Sequence, residues 1–299
     1  MSEDTVKILF DTDIGSDIDD AVALAYLLAQ PRAEILGITT VSGHPIERAK
    51  LASAICKTAG RDIQIIPGSE HRIDGPTRQP NVPQGSVLPN WPHKTEFPDG
   101  DAVDFMAEVI RSQPYEVILL AVGPMTNVAK LFTRHPDVPG LLKSLRLMLG
   151  RFLDPYHNTP SAEWNSHCDP TAASYVYSTA ITGDIAHHTS LGLDVTKQVT
   201  MNSDQVSEYF KHPLLQPVYE MSKVWFDERS ILNFHDPLAA VTLFDETVCT
   251  YQNGISVVTR SDDRDDGLTE WTADPKGPHK IGITVDSDRF FESYFDVFN

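Results

Sequence analysis

Cysteine is scarce in this chain. Three occur in 299 residues, at Cys56, Cys168 and Cys249, and no two form a C-x-x-C pair. An odd, scattered set argues against a disulfide framework and a thiolate zinc site, and fits buried thiols in a reducing compartment. Cationic side chains are also in short supply: 24 Lys and Arg stand against 42 Asp and Glu, a formal charge of −18. A field of that sign repels phosphate backbones, so no nucleic-acid partner is expected, whereas divalent cations and neutral or cationic ligands are compatible with it. No apolar run reaches the length of a membrane span. The opening residues MSEDTVK are polar and acidic, without the basic and apolar regions of a secretory signal. A soluble cytoplasmic protein is the expectation. No repeat and no clean boundary divides the chain, so residues 1–299 are read as one domain.

What is present reads as an alternation of strands and helices. Val6 to Phe10 is a short apolar run, and Asp20 to Ala29 is dense in Ala, Leu and Val before Pro31 stops it. Ala33 to Val41 is rich in β-branched residues. His44 to Ala59 has helical spacing and ends at Gly60, and Ile63 to Ile66 precedes a Pro-Gly turn. The rhythm continues with a helix near Ala102 to Arg111, a strand at Glu116 to Val122 and a helix after Thr126. Leu145 to Leu149 reads as a strand, a helix begins near Asp169-Pro170, and strands fit Gly183 to Ala186 and Ser190 to Val195. This pattern predicts a single-domain α/β fold: a mostly parallel, Rossmann-like sheet flanked by helices, with its site at the C-terminal edge of the strands. Residues 68–100 are rich in Pro, Asn and Gly without periodicity, as in a functional or disordered loop. Asn202 to Arg229 looks helical and suits a cap, and 261–279 reads as exposed turns.

The densest chemistry is Asp11-Thr12-Asp13-Ile14-Gly15-Ser16-Asp17-Ile18-Asp19-Asp20, which places five carboxylates in ten residues between two apolar runs. Such crowding is unfavourable unless the charge is solvated or matched by a cation. Helix capping accounts for one or two of the acids, with Asp17 as the natural N-cap, but not for Asp11 and Asp13 on the strand side. The donors are all oxygens, which favours calcium, magnesium or manganese over zinc. Ser16 and Val22 stand where an EF-hand needs Gly and Glu. Two further clusters are Glu163-Trp164-Asn165-Ser166-His167-Cys168-Asp169-Pro170 and His235-Asp236-Pro237. Singly, these read equally as a surface loop with an Asp169 cap and as a capping Asp before Pro.

In this order, the three clusters resemble the inosine/uridine-preferring nucleoside hydrolases, N-ribohydrolases that split nucleosides into ribose and free base. The family's opening motif D-x-D-x-G-x-D-D-A-x-A-[LI] is matched by Asp11, Asp13, Gly15, Asp19, Asp20, Ala21, Ala23 and Leu24, with Asp17-Ile18 intervening. Further matches are ITTVSG from Ile38, IPGS from Ile66, VGPMTNVA from Val122, EWNSHCDP from Glu163, GLDVT from Gly192, and the HDP at His235. The resemblance implies calcium as cofactor, with Asp13, Asp20, Asp236 and the Val122 carbonyl as its ligands. It implies that Asp13 is the general base acting on a calcium-bound water and that His235 is a base-side residue that protonates the leaving group. Asp19, Asn158, Glu163 and Asn165 match groups that hold the ribose hydroxyls, and Asp11 matches an acid supporting the base. Asp17 is a further candidate for metal or sugar contact. His44 stands after Ser-Gly where many members have Asn, and Trp164, Trp225 and Phe226 are open to base stacking or to core packing.

The implied reaction is calcium-dependent hydrolysis of a ribonucleoside in purine or pyrimidine salvage, by a homodimer or tetramer. A non-standard riboside as substrate and a non-catalytic riboside-binding homologue are the alternatives. A more distant one is a haloacid-dehalogenase-like phosphatase, since Phe10-Asp11-Thr12-Asp13 after a strand resembles that nucleophile motif and would make Asp11 the phosphorylated residue.

Overall fold

The computed structural model describes residues 5–153, 162–181, 187–261 and 266–299. The first half runs β1 (Val6–Thr12), α1 (Asp19–Ala29), β2 (Ala33–Thr40), α2 (Pro45–Thr58), β3 (Ile65–Pro67), α3 (Ala102–Ser112), β4 (Val117–Ala121), α4 (Thr126–Arg134) and β5 (Ser144–Met148). Then come α5 (Trp164–Cys168), α6 (Pro170–Ile181), β6 (His188–Leu191), α7 (Leu193–Thr196), β7 (Thr200–Asn202), α8 (Ser203–Tyr209), α9 (Gln216–Phe226), β8 (Ile231–Asn233) and α10 (His235–Val241). The chain closes with β9 (Cys249–Val258), β10 (Thr269–Ala273), β11 (His279–Val285) and α11 (Ser287–Asp296).

Among the described residues, nine strands form one sheet in the order β10-β9-β11-β6-β5-β4-β1-β2-β3. The run from β11 to β3 is parallel, and only β9 is antiparallel to its neighbours β10 and β11. This is the predicted mostly parallel α/β architecture. A parallel sheet must be covered on both faces, because its connections are helices. Accordingly, Ile8 and Phe10 of β1 pack into one apolar cluster with α1, α2 and α10, while Leu9 between them packs into another with α3, α4 and α6. The pleat sends alternate side chains to opposite cores, so β1 reads as a continuous apolar run.

Several boundaries and one assignment differ from the sequence reading. The third strand is Ile65–Pro67 rather than Ile63 to Ile66. The strand expected at Ser190 to Val195 ends at Leu191, and Leu193–Thr196 turn into α7, whose first N–H bonds to Gly150 O at 2.9 Å. The segment 261–279, expected to be exposed turns, contains edge strand β10 and a buried Asp266. The strand signal at Gly183 to Ala186 lies outside the described residues. Asp17 is not the N-cap of α1: Ile18 holds that position, and the Asp17 carboxylate instead accepts from the Ile18 N–H at 2.6 Å. Among the described residues no helix is long and apolar enough to cross a membrane, and Cys56, Cys168 and Cys249 are free and buried.

Candidate active site

The C-terminal ends of β1, β4 and β5 open onto a cavity of about 470 Å³, within the usual range for small-molecule sites. Asp13 follows β1, Asp17, Asp19 and Asp20 surround the start of α1, and Asp236 stands in the first turn of α10; all five line the cavity. The α1·α10 packing holds these two helix starts together, and the Asp236 N–H donates to Asp19 Oδ2 at 3.2 Å. Asp20 is anchored from the strand side, its Oδ1 accepting the Thr12 hydroxyl and, at 3.1 Å, the Asp13 N–H. One carboxylate oxygen each from Asp19, Asp20 and Asp236 lie within 4.8 Å of one another, and all three residues are 3% exposed.

Burial dominates the electrostatics. It raises the carboxyls of Asp19, Asp20 and Asp236 well above their ordinary range, and each is raised further by its neighbours' negative charge. Burial likewise pushes Asp17 and Glu163 up to about 7. The Asp13 carboxyl is raised by burial, although the Arg48 guanidinium and the Gln79 amide oppose the shift. Arg48 is fully buried, but its donors go to backbone carbonyls: Asp13 O, Ile14 O at 3.1 Å and Gly43 O at 2.9 Å. The carboxylate group is therefore left with an excess of negative charge and a set of hard oxygen donors. That donor set fits a divalent cation such as calcium or magnesium, and nothing in it resembles a soft-metal site.

The opposite wall comes from α5 and its neighbours. Glu163 caps α5, accepting the N–H groups of Asn165 at 2.7 Å, Ser166 at 3.0 Å and Gly150 at 3.1 Å. The Asn165 amide donates to Val122 O at 2.6 Å and to Met148 O at 3.2 Å, tying the ends of β4 and β5 to α5. Gly123 is required beside this tie, because a Cβ there would come within 2.8 Å of Asp13 Oδ1. His235 lines the cavity with its Nδ1 2.7 Å from the Thr196 hydroxyl. Burial lowers its pKa to about 4, so the ring is neutral at pH 7.

Of the residues singled out from sequence, Asp13, Asp17, Asp19, Asp20, Val122, Glu163, Trp164, Asn165, Trp225, His235 and Asp236 all meet at this cavity. Three do not. Asp11 is buried behind it, with Oδ1 accepting the Thr39 hydroxyl at 2.5 Å and the Asn127 amide at 2.8 Å. This placement leaves no accessible nucleophile for the phosphatase alternative. His44 is exposed at the start of α2 in a left-handed conformation, and Phe226 packs half-buried against the core. Asn158 lies outside the described residues.

Sequence reasoning missed Gln79, from the long loop after β3. Its Nε2 donates to Asp13 Oδ2 at 2.7 Å, and its Oε1 accepts the Trp164 indole N–H at 2.7 Å. Ser16 and Arg229 line the cavity as well, and Arg48 supplies the nearest buried cation. None of these carries a local pattern; only the contacts across the fold reveal them.

The sequence matches the family model described as inosine-uridine preferring nucleoside hydrolase over residues 8–292. It is 28% identical to uridine nucleosidase 1 of Arabidopsis thaliana over 316 residues, covering 96% of this chain and 91% of that protein. It is 29% identical to the pyrimidine-specific ribonucleoside hydrolase RihA of Salmonella newport over 243 residues, 74% of this chain and 72% of that one. The fold superposes on a purine-preferring ribonucleoside hydrolase from Gardnerella vaginalis with a TM-score of 0.83 at 21% identity, covering 98% of both chains.

Proposed function

Since the chain belongs to the inosine-uridine preferring nucleoside hydrolase family and is a hydrolase of N-glycosyl bonds, we propose that it is a calcium-dependent ribohydrolase whose site is the acid-lined cavity. The observation that carries this reading is the convergence of five carboxylates from the β1–α1 turn and the start of α10 on one buried space. Asp20 and Asp236 would hold the cation together with the Val122 carbonyl. Asp13, lining the same cavity, would be a further ligand, and Asp19, whose carboxylate lies in the same group of three, would hold a ribose hydroxyl beside the cation. When bound, calcium would supply positive charge that polarises the attacking water and the sugar hydroxyls beside it.

The chain's own residues then carry the proton and the charge. Asp13, oriented by Gln79, takes the proton of the water as its oxygen bonds to C1′ of the ribose. The C1′–N bond breaks and its electron pair leaves with the base, which takes up a proton from solvent, while the proton taken by Asp13 is returned to solvent when ribose leaves. Positive charge develops on the ribose ring, as in other glycosyl transfers, and the carboxylates around it stabilise that charge more than the neutral ground state. The neutral His235 ring supplies an N–H hydrogen bond to the departing base. Asn165 and Glu163 hold the wall against which the sugar rests.

The direct test is release of reducing sugar from a panel of purine and pyrimidine ribonucleosides, with the protein chelated and then resupplied with calcium. Ribose should appear only with the cation, and Asp13→Ala should reduce the rate by at least a thousandfold. The reading is overturned if no riboside yields ribose, or if Asp13→Ala retains wild-type turnover.

A further inference from the structure

A second cavity, of about 800 Å³, opens at the other edge of the same sheet. Val6, Ser144 and His188, the first residues of β1, β5 and β6, line it, whereas Met148, the last residue of β5, lines the carboxylate cavity. Ser144 and Met148 are four steps apart, about 13 Å of extended chain, so the two spaces are separate. Among the described residues, the charged lining of this second cavity is Lys143, Arg146 and Lys280 against one carboxylate, Glu246. A local excess of cations runs against a chain whose formal charge is −18.

Arg146 is the anomaly. Its neighbours Leu145 and Leu147 pack into one apolar core and Met148 into the other. An interior strand of a parallel sheet ordinarily reads as an unbroken apolar run, yet Arg146 sits in β5 at 5% exposure. Its Nη2 donates to Glu246 Oε1 at 3.1 Å, while Nε and Nη1 are buried without a partner. Glu246 comes from the turn between α10 and β9, and its side chain is 58% exposed; Lys280 Nζ approaches the same oxygen at 3.9 Å. One surface carboxylate thus stands between two cations. On the adjacent strand His188, 2% exposed, has neither ring nitrogen hydrogen-bonded, and the Tyr251 hydroxyl near Arg146 is unpaired as well. Burial, then the neighbouring His279 and Arg146, holds the His188 ring neutral, with one N–H to give. Buried donors left unpaired cost folding free energy, and several in one place mark a missing acceptor.

We propose that this cavity binds a small oxyanion of the phosphate class, free or as a monoester, which displaces the Glu246 carboxylate from Arg146. The guanidinium fork matches two oxygens of such a ligand, and Lys143 and Lys280 flank it as point charges. With Glu246 swung outward, three cations face a dianion. The volume also admits a sugar carried on the phosphate.

Calorimetric titration tests this, on protein supplied with calcium at a level low enough to keep phosphate in solution. The probes are inorganic phosphate and ribose 5-phosphate. At least one should bind with a dissociation constant below about 1 mM, and the tighter of the two shows whether the free anion or the ester is preferred. Lys280→Glu should weaken binding at least about tenfold, and Glu246→Gln, which removes the competing carboxylate, should tighten it at least about threefold. Arg146→Gln should abolish it. Should that variant fail to fold, the two more exposed positions decide. Asp236→Asn should leave binding unchanged, because it alters only the carboxylate cavity. The proposal is overturned if both probes bind more weakly than this, if Lys280→Glu and Glu246→Gln bind as wild type does, or if Asp236→Asn removes the binding.

Discussion

Gln79 is the sharpest test of how the site is held, because one side chain amide serves two partners in a fixed orientation. Its NH2 end must face Asp13 and its oxygen must face the Trp164 indole, with both contacts at 2.7 Å. A hydrogen bond to a charged acceptor contributes about 1.5–3 kcal/mol. Because that bond is already made in the free site and fixes the direction in which Asp13 faces the water, Gln79→Ala should misorient the base and lower kcat roughly ten- to hundredfold, at about 1.4 kcal/mol per decade. Gln79→Glu separates the two contacts. It keeps an acceptor for Trp164 but sets a second carboxylate against Asp13, so it should be at least as slow as the alanine variant. Trp164→Phe removes only the indole donor and should change KM more than kcat. The assay is steady-state ribose release for all three, with melting temperatures to confirm that each is folded. The reasoning is refuted if Gln79→Ala stays within threefold of wild type in kcat, or if Trp164→Phe alone reproduces the whole loss.

Three further outcomes follow from the geometry. Asp236→Asn removes one charge from a group spanning 4.8 Å; at an effective dielectric of 20 two such charges repel by about 3 kcal/mol. The chelated variant should therefore melt higher than the chelated wild type while losing both activity and stabilisation by calcium, and a lower melting temperature would contradict this. Arg48→Met strips the buried donors from the Asp13, Ile14, Ser42 and Gly43 carbonyls. It should cost about 3–5 kcal/mol in urea unfolding, and a loss under about 1 kcal/mol would show that the guanidinium is dispensable. Burial favours a higher Asp266 pKa, but hydrogen bonds from Arg78, the Ser261 N–H and Arg260 hold the carboxyl below its ordinary range. The folded state then binds the proton more weakly than the unfolded state. The contribution is thus complete above about pH 4 and is lost as pH falls through the lower folded value. Asp266→Asn should lose less urea stability than wild type between pH 7 and pH 3, and an identical loss in both proteins would remove the argument.

The legible parts of this molecule are those with a local signature. The β1–α1 unit announces itself because an apolar run, a knot of acids and a second apolar run occur within thirty residues, and Asp19, Asp20 and Asp236 do converge. The sheet's parallel character follows from alternating elements. What stayed hidden depends on contacts between distant segments. Gln79 sits in a loop without periodicity, and its partners Asp13 and Trp164 come from other parts of the chain. Arg48 lies in a helix between Glu47 and Lys50, where a cation reads as a solvated charge; its burial becomes visible only when α2 packs beside the end of β1. Strand β10 is flanked by Asp, Gly and Pro, so turn chemistry masked five paired residues against β9. His44 is exposed while its neighbours Ser42 and Gly43 are buried, although all three have left-handed backbone, so no local pattern tells which of them faces the core.

The position of the buried Arg48 beside the acids bears on why the cluster exists at all. A protein that needed only a stable α1 could have left its acids at the helix rim, where the macrodipole favours them and water screens them. Here they are sealed below 10% exposure at Asp13, Asp19, Asp20 and Asp236, and burial drives every one of their carboxyls upward. Arg48 is close enough to oppose this at Asp13, yet its hydrogen bonds serve the backbone, so it braces the turn without neutralising the group. Folding alone therefore works against this arrangement. The strain is relieved when positive charge enters the cavity. Two positive charges fit the proposed reaction: the resident cation, and the partial charge on the ribose as its bond to the base breaks. A site arranged in this way binds the second charge only in the transition state, which is the condition for acceleration rather than mere binding.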